Sequence, residues 1–178
     1  MKTVVIAVIS LDGCITRHDL PGAQGWASPE DQAHFRAACA PCDVRIFGSG
    51  TYIPDRDAMR RAARPGVRRI ILTSDPARFH DDTVPGQLEF SAETPSALVT
   101  RLTSEGHVRC AVLGGGKVYG SFLQSGVVDE IELSVEPVLF GSGTRFGGSK
   151  PFEQRFRFVS MDKLNESTLL LRYARPQE

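Results

Sequence analysis

The strongest constraint on the fold is a run of β-branched residues with no polar–apolar alternation, Lys2–Ile9. A continuous run of this kind is typical of a strand covered on both faces, as in the centre of a parallel sheet. Similar short apolar runs follow at Val44–Phe47, Arg69–Thr73 and Cys110–Leu113. Helical segments separate these runs, so the order of elements predicts βαβ units with right-handed crossovers. We expect a three-layer α/β/α sandwich around a mostly parallel sheet.

Three segments carry helix signals. A serine N-cap, a first-turn proline and two acids predict a helix over Pro29–Cys39. Thr94-Pro95 begins a second helix, which Gly106 stops. A third helix, Lys117–Ser125, follows a triplet of glycines.

The remaining sequence predicts extended segments and two loops. The extended segments are Leu88–Phe90, Glu130–Val135, Val138–Phe140 and the arms of a C-terminal antiparallel hairpin, Phe156–Leu164 and Thr168–Tyr173. The loops, rich in glycine and polar residues, are Ser10–Gly25 and Gly141–Ser149. We expect residues 1–178 to form one domain.

Composition excludes several classes of partner. Twenty-one basic and twenty-one acidic residues give a formal net charge of zero, which offers nothing to attract a nucleic acid. The apolar run Val4–Ile9 is far shorter than the roughly 18 residues of a membrane span. With four cysteines in 178 residues, a disulfide-dense secreted scaffold is not indicated. We expect a cytoplasmic protein with free thiols and no membrane contact.

Four turns of small or hydroxyl-bearing residues follow predicted strands: Ser10–Gly13, Gly48–Thr51, Thr73–Asp75 and Gly114–Gly116. Ligands of open α/β sheets bind at the carboxyl ends of the strands. The last turn leads into a helix N-terminus, which can hold a phosphate by its free N–H groups. A phosphorylated cofactor explains all four turns, although any single glycine can simply form a tight turn. The triplet matches neither a Rossmann fingerprint nor a Walker A loop.

Taken in order, these motifs resemble a known family. The ordered motifs are Ser10–Gly13, Trp26–Asp31, Gly48–Tyr52, Leu72–Ser74, Gly114–Tyr119, Gly126–Ile131 and Pro137–Gly141. The set is similar to the dihydrofolate reductase-like superfamily, and within it to the RibD C-terminal domain, the pyrimidine reductase of riboflavin biosynthesis. The resemblance extends over nearly the whole chain.

The resemblance implies an NADPH-dependent reductase that transfers a hydride directly to its substrate. In the riboflavin branch, the ribosyl group of a phosphorylated aminopyrimidine becomes ribityl. The implied partners are therefore a small heterocyclic substrate and, since the riboflavin reductases pair, a second copy in a homodimer.

The resemblance also implies cofactor contacts. By position these are Ile9, Trp26, Thr51, Asp55, Ser74, Gly114, Gly115, Gly116, Lys117, Val118 and Tyr119. The hydroxyls of Thr51 and Ser74 can hydrogen-bond ribose or phosphate.

Four side chains are candidates for catalysis or substrate binding, and the first three each have an ordinary structural alternative. Asp12 can supply the proton that accompanies the hydride, or can cap a turn. Asp55 can anchor nicotinamide or substrate, or can be a solvated acid at a helix start. Trp26 can stack on a flat ring, or can pack in a core or lid. Arg60 is a candidate contact for the substrate phosphate.

The chain departs from the riboflavin enzymes at the substrate. Leu113 stands where those enzymes often carry a glutamate, and Arg36, Arg60 and Arg61 lie near the positions of their arginines but out of register. The exact substrate therefore stays open. Alternatives are a dihydrofolate or pterin reductase and a nucleotide-binding module without catalysis.

Two further patterns have both functional and ordinary interpretations. Cys39 and Cys42 form a CxxC, either a redox pair, half of a zinc site or a coincidence at a helix–strand junction. The run Arg56–Arg69 holds six arginines, which either bind an anionic substrate or the adenosine phosphate or form a solvated surface.

Overall fold

The structure is a computed structural model that describes residues 1–176 with the exception of Asp19 and Pro21. Its strands are β1 (Lys2–Ser10), β2 (Val44–Gly48), β3 (Arg68–Leu72), β4 (Leu88–Ser91), β5 (Arg109–Val112), β6 (Glu130–Glu136), β7 (Arg157–Lys163) and β8 (Leu169–Ala174). Its helices are α1 (Pro29–Cys39), α2 (Ser49–Tyr52), α3 (Arg56–Arg61), α4 (Pro95–Ser104) and α5 (Gly116–Gln124), with a 3₁₀ segment at Ala77–Asp82.

The strands form one eight-stranded sheet in the order β4-β3-β2-β5-β1-β6-β8-β7. All pairings from β4 through β6 are parallel, while β8 pairs antiparallel with both β6 and β7. The predicted fold class, a mostly parallel α/β/α sheet with a C-terminal antiparallel hairpin, is confirmed. That residues 1–178 form a single domain stays a prediction, and the last two residues lie outside the described ones.

Helices cover the sheet on both faces. On one face, Leu98 of α4 and Phe122 of α5 pack with the inward side chains of the strands, such as Val5. On the other face, Cys39 at the end of α1 packs against Val4. The unbroken apolar pattern of β1 follows from this double cover, because residues 3–7 are buried whichever face they are on.

Local sequence signals explain where the elements begin. The hydroxyl of Ser28 accepts a hydrogen bond from the N–H of Asp31 at 3.2 Å, and Thr94 caps α4 through the N–H of Ala97 at 3.3 Å. In the hairpin turn, the Oδ1 of Asn165 accepts the N–H groups of the two residues before β8.

Three expectations need correction. Val138–Phe140 does not join the sheet; instead the carbonyl of Val138 accepts a hydrogen bond from Leu11 N–H at 2.8 Å. The short helices α2 and α3 lie where the sequence predicted only a glycine turn and a basic run. Helix α5 begins one residue earlier than expected, at Gly116.

The loop after β1 runs beside the loop after β6. Ile15 N–H donates to the carbonyl of Thr144 at 2.8 Å, and Phe146 N–H donates to that of Gly13 at 3.1 Å. Because of these bonds the two loops form one wall at the carboxyl edge of the sheet. Across the described part of the chain, no helix is long and apolar enough to cross a membrane.

Candidate active site

A cleft of about 1470 Å³ lies at the carboxyl edge of the parallel strands. Its floor is residues 6–8 of the central strand β1, and its walls come from the loop after β1, α1, the ends of β2 and β3, the start of α5 and Ser142–Thr144. Ordinary small-molecule pockets measure about 300–1,000 Å³. The cleft therefore has room for a dinucleotide together with a small substrate.

The glycine turn after β5 approaches its neighbours too closely to carry side chains. A Cβ on Gly116 would lie 2.5 Å from Thr144 Cγ2 and 2.8 Å from the carbonyl oxygen of Arg145. Gly114 has a φ of +103°, and a Cβ there would lie 2.9 Å from the ring of Tyr119. Glycine is therefore required here by packing and by backbone conformation.

Helix α5 presents free backbone amides to the cleft. Its N-cap, Gly115, has no side chain, and the Gly115 carbonyl accepts the N–H groups of Val118 and Tyr119 at 2.9 and 3.0 Å. The N–H groups of Gly116 and Lys117 belong to the first turn, where no helical acceptor exists. These amides and the helix dipole suit a diphosphate.

Two more residues predicted to contact a cofactor line the same cleft. A Cβ on Gly115 would come within 3.4 Å of the Thr51 hydroxyl, which places that hydroxyl beside the glycine turn. Asp55 is exposed at the start of α3, and its carboxylate caps no N–H group there. The structure thus brings Thr51 and Asp55 to the same cleft as Gly115–Tyr119; their contacts with a cofactor stay a prediction.

Tyr119 lines the cleft, but its phenol hydroxyl already forms a hydrogen bond within the protein. Its hydroxyl donates to the carbonyl of Ile6 at 2.9 Å, and burial raises the pKa of this phenol. The side chain therefore fixes α5 to β1 and keeps the glycine turn in place.

Six of the predicted site residues do not line the cleft. Ile9 pairs with Val135 inside the sheet. Ser74 is exposed beyond the end of β3. The carbonyl of Gly114 faces away, accepting the N–H of Gly48 at 2.7 Å.

Arg60 is the fourth of these residues. Its guanidinium donates to the carboxylate of Asp82 at 2.9 Å, and this ion pair holds it away from the cleft.

Trp26 also lies outside the cleft lining. Its indole N–H donates to the carbonyl of Gly22 at 3.2 Å, and its ring meets that of Phe140 edge-on, with centroids 5.1 Å apart. The tryptophan therefore ties the two wall loops together, which corresponds to the packing interpretation of this residue.

Asp12 anchors a turn outside the cleft. Its carboxylate accepts the hydroxyl of Ser10 at 2.6 Å and the N–H groups of Phe140 and Gly141 at 3.3 and 2.8 Å. Chiefly because of the Ser10 hydrogen bond, the pKa of Asp12 falls to about 2. At neutral pH this side chain is ionised and has no proton to give, so the structure supports its capping role.

Asp31 is a buried carboxyl that lines the cleft. It lies in the first turn of α1, is 6% exposed and reaches the space above β1. Burial raises the pKa of Asp31; a hydrogen bond from Ser134 opposes this change, and the nearby charge of Glu136 adds to it. A carboxyl in such surroundings keeps its proton to a higher pH than an exposed aspartate does.

Asp31 was not predicted to be a functional residue, because the helix dipole alone accounts for an acid at this position. Helical spacing was the available signal. Residues at positions i, i+1, i+4 and i+5 lie on neighbouring faces of a helix, and here they are Asp31, Gln32, Phe35 and Arg36, which all line the cleft.

Glu136 supports Asp31 from beneath. It is almost fully buried at the end of β6, where it accepts the N–H of Ser28 and the hydroxyl of Thr168, each at 2.7 Å. This carboxylate therefore joins the start of α1 to the sheet and places a negative charge beside Asp31.

Of the four residues that differ from those of the riboflavin enzymes, two line the cleft and two do not. Leu113 lies in the cleft wall and makes it apolar, and Arg36 contributes an exposed cation to the cleft. Arg61, like Arg60, lies outside the lining.

Burial leaves the thiols of the CxxC unactivated. Cys39 and Cys42 are buried and unbridged, and burial raises the pKa of both thiols, that of Cys39 to about 12. Within the described residues, no group of three or more His, Cys, Asp or Glu side chains could hold a metal ion.

Three of the six arginines in the basic run are engaged in ion pairs. Arg56 and Arg60 bind Asp82, while Arg68 binds Glu89 and Glu105. These three arginines therefore stabilise the fold and do not face the cleft.

Comparison with known proteins adds a family and a fold. A family model described as the RibD C-terminal domain matches residues 2–170. The Bacillus subtilis (strain 168) protein YwjB is 26% identical over 145 residues, 80% of each chain. A pyrimidine reductase-like protein from Corynebacterium diphtheriae aligns with a TM-score of 0.74 at 14% identity, covering 99% of this chain and 92% of the other.

A larger protein from Thermotoga maritima, a diaminohydroxyphosphoribosylaminopyrimidine deaminase/5-amino-6-(5-phosphoribosylamino)uracil reductase, aligns with a TM-score of 0.77 at 18% identity. The alignment covers 98% of this chain but 56% of that one, so this chain matches about half of the bifunctional protein. At these identities the structural likeness establishes the fold.

Proposed function

This chain belongs to the RibD C-terminal domain family, and we propose that it is an NADPH-dependent reductase of a small heterocyclic substrate. The leading substrate is the phosphorylated ribosylaminopyrimidine of riboflavin biosynthesis, whose ribosyl group is reduced to ribityl. The observation that carries this proposal is the cleft of about 1470 Å³ at the carboxyl edge of the sheet, into which the uncapped start of α5 points.

The residues around the glycine turn fit a dinucleotide. The amides of Gly116 and Lys117 would hold the diphosphate, and the Lys117 ammonium would add a positive charge. The Thr51 hydroxyl beside Gly115 would bond a ribose or phosphate oxygen. The cofactor would supply the hydride.

The chain itself would orient the reactants and exclude water. Ile6, Val8 and Leu113 give the cleft an apolar floor and wall beneath the reacting atoms. An apolar lining strengthens every hydrogen bond made inside it and keeps bulk water from the hydride. Arg36, which lies at the same cleft, would bind the phosphate of the substrate.

Asp31 would supply the proton. Reduction of a C=N or C=O bond adds the hydride to carbon and a proton to nitrogen or oxygen. The buried carboxyl of Asp31 lines the cleft and has a raised pKa, as a general acid needs. Asp12 does not suit this role, because it lies outside the lining and its pKa is about 2.

The same carboxyl favours a second candidate, a dihydrofolate or pterin reductase. A buried aspartate can accept two N–H groups from one edge of a flat bicyclic ring, and Leu113 offers that ring an apolar surface. The two candidates differ in the need for a phosphate contact, which the pterin does not have.

A spectroscopic assay of NADPH oxidation separates the candidates. We expect oxidation with the phosphorylated ribosylaminopyrimidine, faster with NADPH than with NADH. Turnover of dihydrofolate alone would select the second candidate, and tight NADPH binding without oxidation of either substrate would identify a non-catalytic module. Failure to bind NADPH or NADH would reject all three.

Arg36→Met tests the phosphate contact. We expect KM for the phosphorylated substrate to rise about tenfold or more, since a charge-assisted hydrogen bond is lost. The dephosphorylated substrate is the matched control, because its KM should be the same for the wild type and the variant.

A further inference from the structure

Two arginines lie side by side on one face of the sheet, away from the cleft. Arg45 of β2 and Arg69 of β3 are partners in the parallel register, so their side chains leave the same face about 4.8 Å apart. Arg69 is only 5% exposed, and neither its Nη1 nor the buried Nε of Arg45 has a hydrogen-bond partner in the described structure. One other nitrogen of Arg45, Nη2, donates to the carbonyl of Cys39 at 2.9 Å.

The two charged side chains that act on Arg69, Arg45 and Arg64, are both positive. Burial lowers the pKa of its guanidinium, and the charges of Arg45 and Arg64 lower it further. The adjacent Arg68, by contrast, forms ion pairs with two glutamates, whereas no carboxylate of the described residues forms one with Arg45 or Arg69. A buried cation beside like charges is costly unless an anion neutralises it.

We propose that Arg45 and Arg69 form a binding site for a compact oxyanion, either phosphate or a carboxylate. Guanidinium groups present paired N–H donors that match two oxygens of such an anion. Arg64, exposed and close enough for its charge to act on Arg69, adds attraction at the surface. None of these three arginines lines the cleft, and Arg45 and Arg69 lie near the amino ends of their strands, so the site is separate from the proposed active site.

Thermal unfolding in inorganic phosphate at constant ionic strength tests the proposal. We expect the Tm of the wild type to rise saturably, by about 3–5 °C at ten times Kd. Parallel titrations with sulfate and acetate distinguish a preference for tetrahedral oxyanions from one for carboxylates.

Arg69→Met keeps the apolar stem and removes the charge. We expect this variant to lose the phosphate-dependent rise and, without phosphate, to have a Tm equal to or above that of the wild type. Arg45→Met should reduce the rise, whereas Arg61→Met, an exposed arginine of the same basic run, should keep it. The apparent Kd for NADPH should be the same in all four proteins, which separates this site from phosphate binding in the cleft.

Three results would overturn the proposal. The first is a phosphate-dependent rise of equal size in the wild type and Arg69→Met, or no rise in either. The second is a phosphate-free Tm of Arg69→Met below that of the wild type, which would mean that the guanidinium is already satisfied. The third is a wild-type Tm that depends on protein concentration and not on phosphate, which would assign the counter-charge to a second copy of the chain.

Discussion

The chemistry of the cleft depends on one carboxyl that is buried and yet reaches the substrate space. The backbone N–H of Asp31 donates a hydrogen bond to the Ser28 hydroxyl, and its carboxyl lies beside the negative charge of Glu136. Burial and that charge both favour the protonated form. An exposed aspartate at the same helix start would be ionised and unable to act as an acid at neutral pH.

Asp31→Asn should therefore lower kcat/KM about 100-fold or more, the usual contribution of a positioned general acid. In the wild type, kcat/KM should fall as the pH rises through the raised pKa of Asp31, because the acid must carry its proton. The variant should lack that limb of the pH profile. Steady-state NADPH oxidation across pH measures both effects.

Glu30→Gln is the matched control for Asp31→Asn. Glu30 is the exposed neighbour in the same helical turn and lies outside the cleft. Its variant should keep the wild-type rate and pH profile. A similar loss in both variants would indicate damage to α1 and would remove the case for Asp31 as the acid.

The packing around Gly116 leaves no room for a side chain, whether or not a ligand is bound. Gly116→Ala should lower the free energy of unfolding by about 1–3 kcal/mol, the typical cost of overpacking, because the new methyl group would meet Thr144 and the Arg145 carbonyl. Gly50→Ala is the control, since a Cβ there has no neighbour within 4 Å. Urea denaturation of both variants measures the difference, and equal stability would contradict the packing argument.

At the scale of elements, the parts that the sequence predicted are those with local causes. The Ser28 cap and first-turn proline fix the start of α1, and the buried β-branched run fixes β1. Val138–Phe140 has the composition of a strand but no free partner in the sheet, because β8 already occupies the edge of β6. The pairing of β6 with β1 and β8 therefore keeps this segment out of the sheet. Nothing in the local sequence indicates that pairing.

The parts of the site that could be predicted from the sequence are likewise those with local causes. Glycines at strand ends located the cleft, since the carboxyl ends of parallel strands meet at one edge. The role of Asp12 depends on amides of Phe140 and Gly141, about 128 positions away in the chain, and such long-range contacts are invisible in a single sequence. Asp31 had a local signal, its helical spacing from Phe35 and Arg36.

The segment after β2 is held by an ion cluster around Asp82. This buried carboxylate accepts hydrogen bonds from Tyr52 at 2.9 Å, from Arg56 at 2.7 Å and from Arg60 at 2.9 Å. The hydrogen bond from the Arg56 guanidinium is the main cause that holds the pKa of Asp82 below its ordinary value. The cluster joins α2 and α3 to the 3₁₀ segment, so it positions one wall of the cleft.

Asp82→Asn should lower the free energy of unfolding at pH 7 by about 1–3 kcal/mol, because charged hydrogen bonds are lost. A depressed folded pKa gives stability that is complete above the unfolded pKa, near 3.9, and is lost as pH falls through the folded value. The difference between wild type and variant should thus shrink in acid. Denaturation from pH 7 to about 3 measures this trend, with the exposed Asp81→Asn as a variant that should match wild type throughout.

At the scale of the whole molecule, the sheet formed by the described residues ends in two edge strands, β4 and β7. The β7 edge is the unusual one, because all but one of its residues are exposed, among them Phe158, Val159 and Met161. An exposed apolar edge strand offers unpaired N–H and C=O groups together with apolar side chains, which invites pairing with another chain. A second copy of this chain joined along β7 would cover both the unpaired backbone groups and the apolar side chains.

Homodimerisation through β7 is therefore our expectation for the intact protein. Met161→Glu places a charge on a side chain that is 56% exposed in the single chain, so it should convert the dimer to a monomer with little effect on folding. Val108→Glu makes the same kind of change at an apolar residue that is 73% exposed in the turn before β5, and it should leave the dimer intact. Sedimentation velocity at micromolar concentration distinguishes the species. A wild type that sediments as a monomer would show the expectation to be wrong, and dissociation by both variants would place the interface elsewhere than β7.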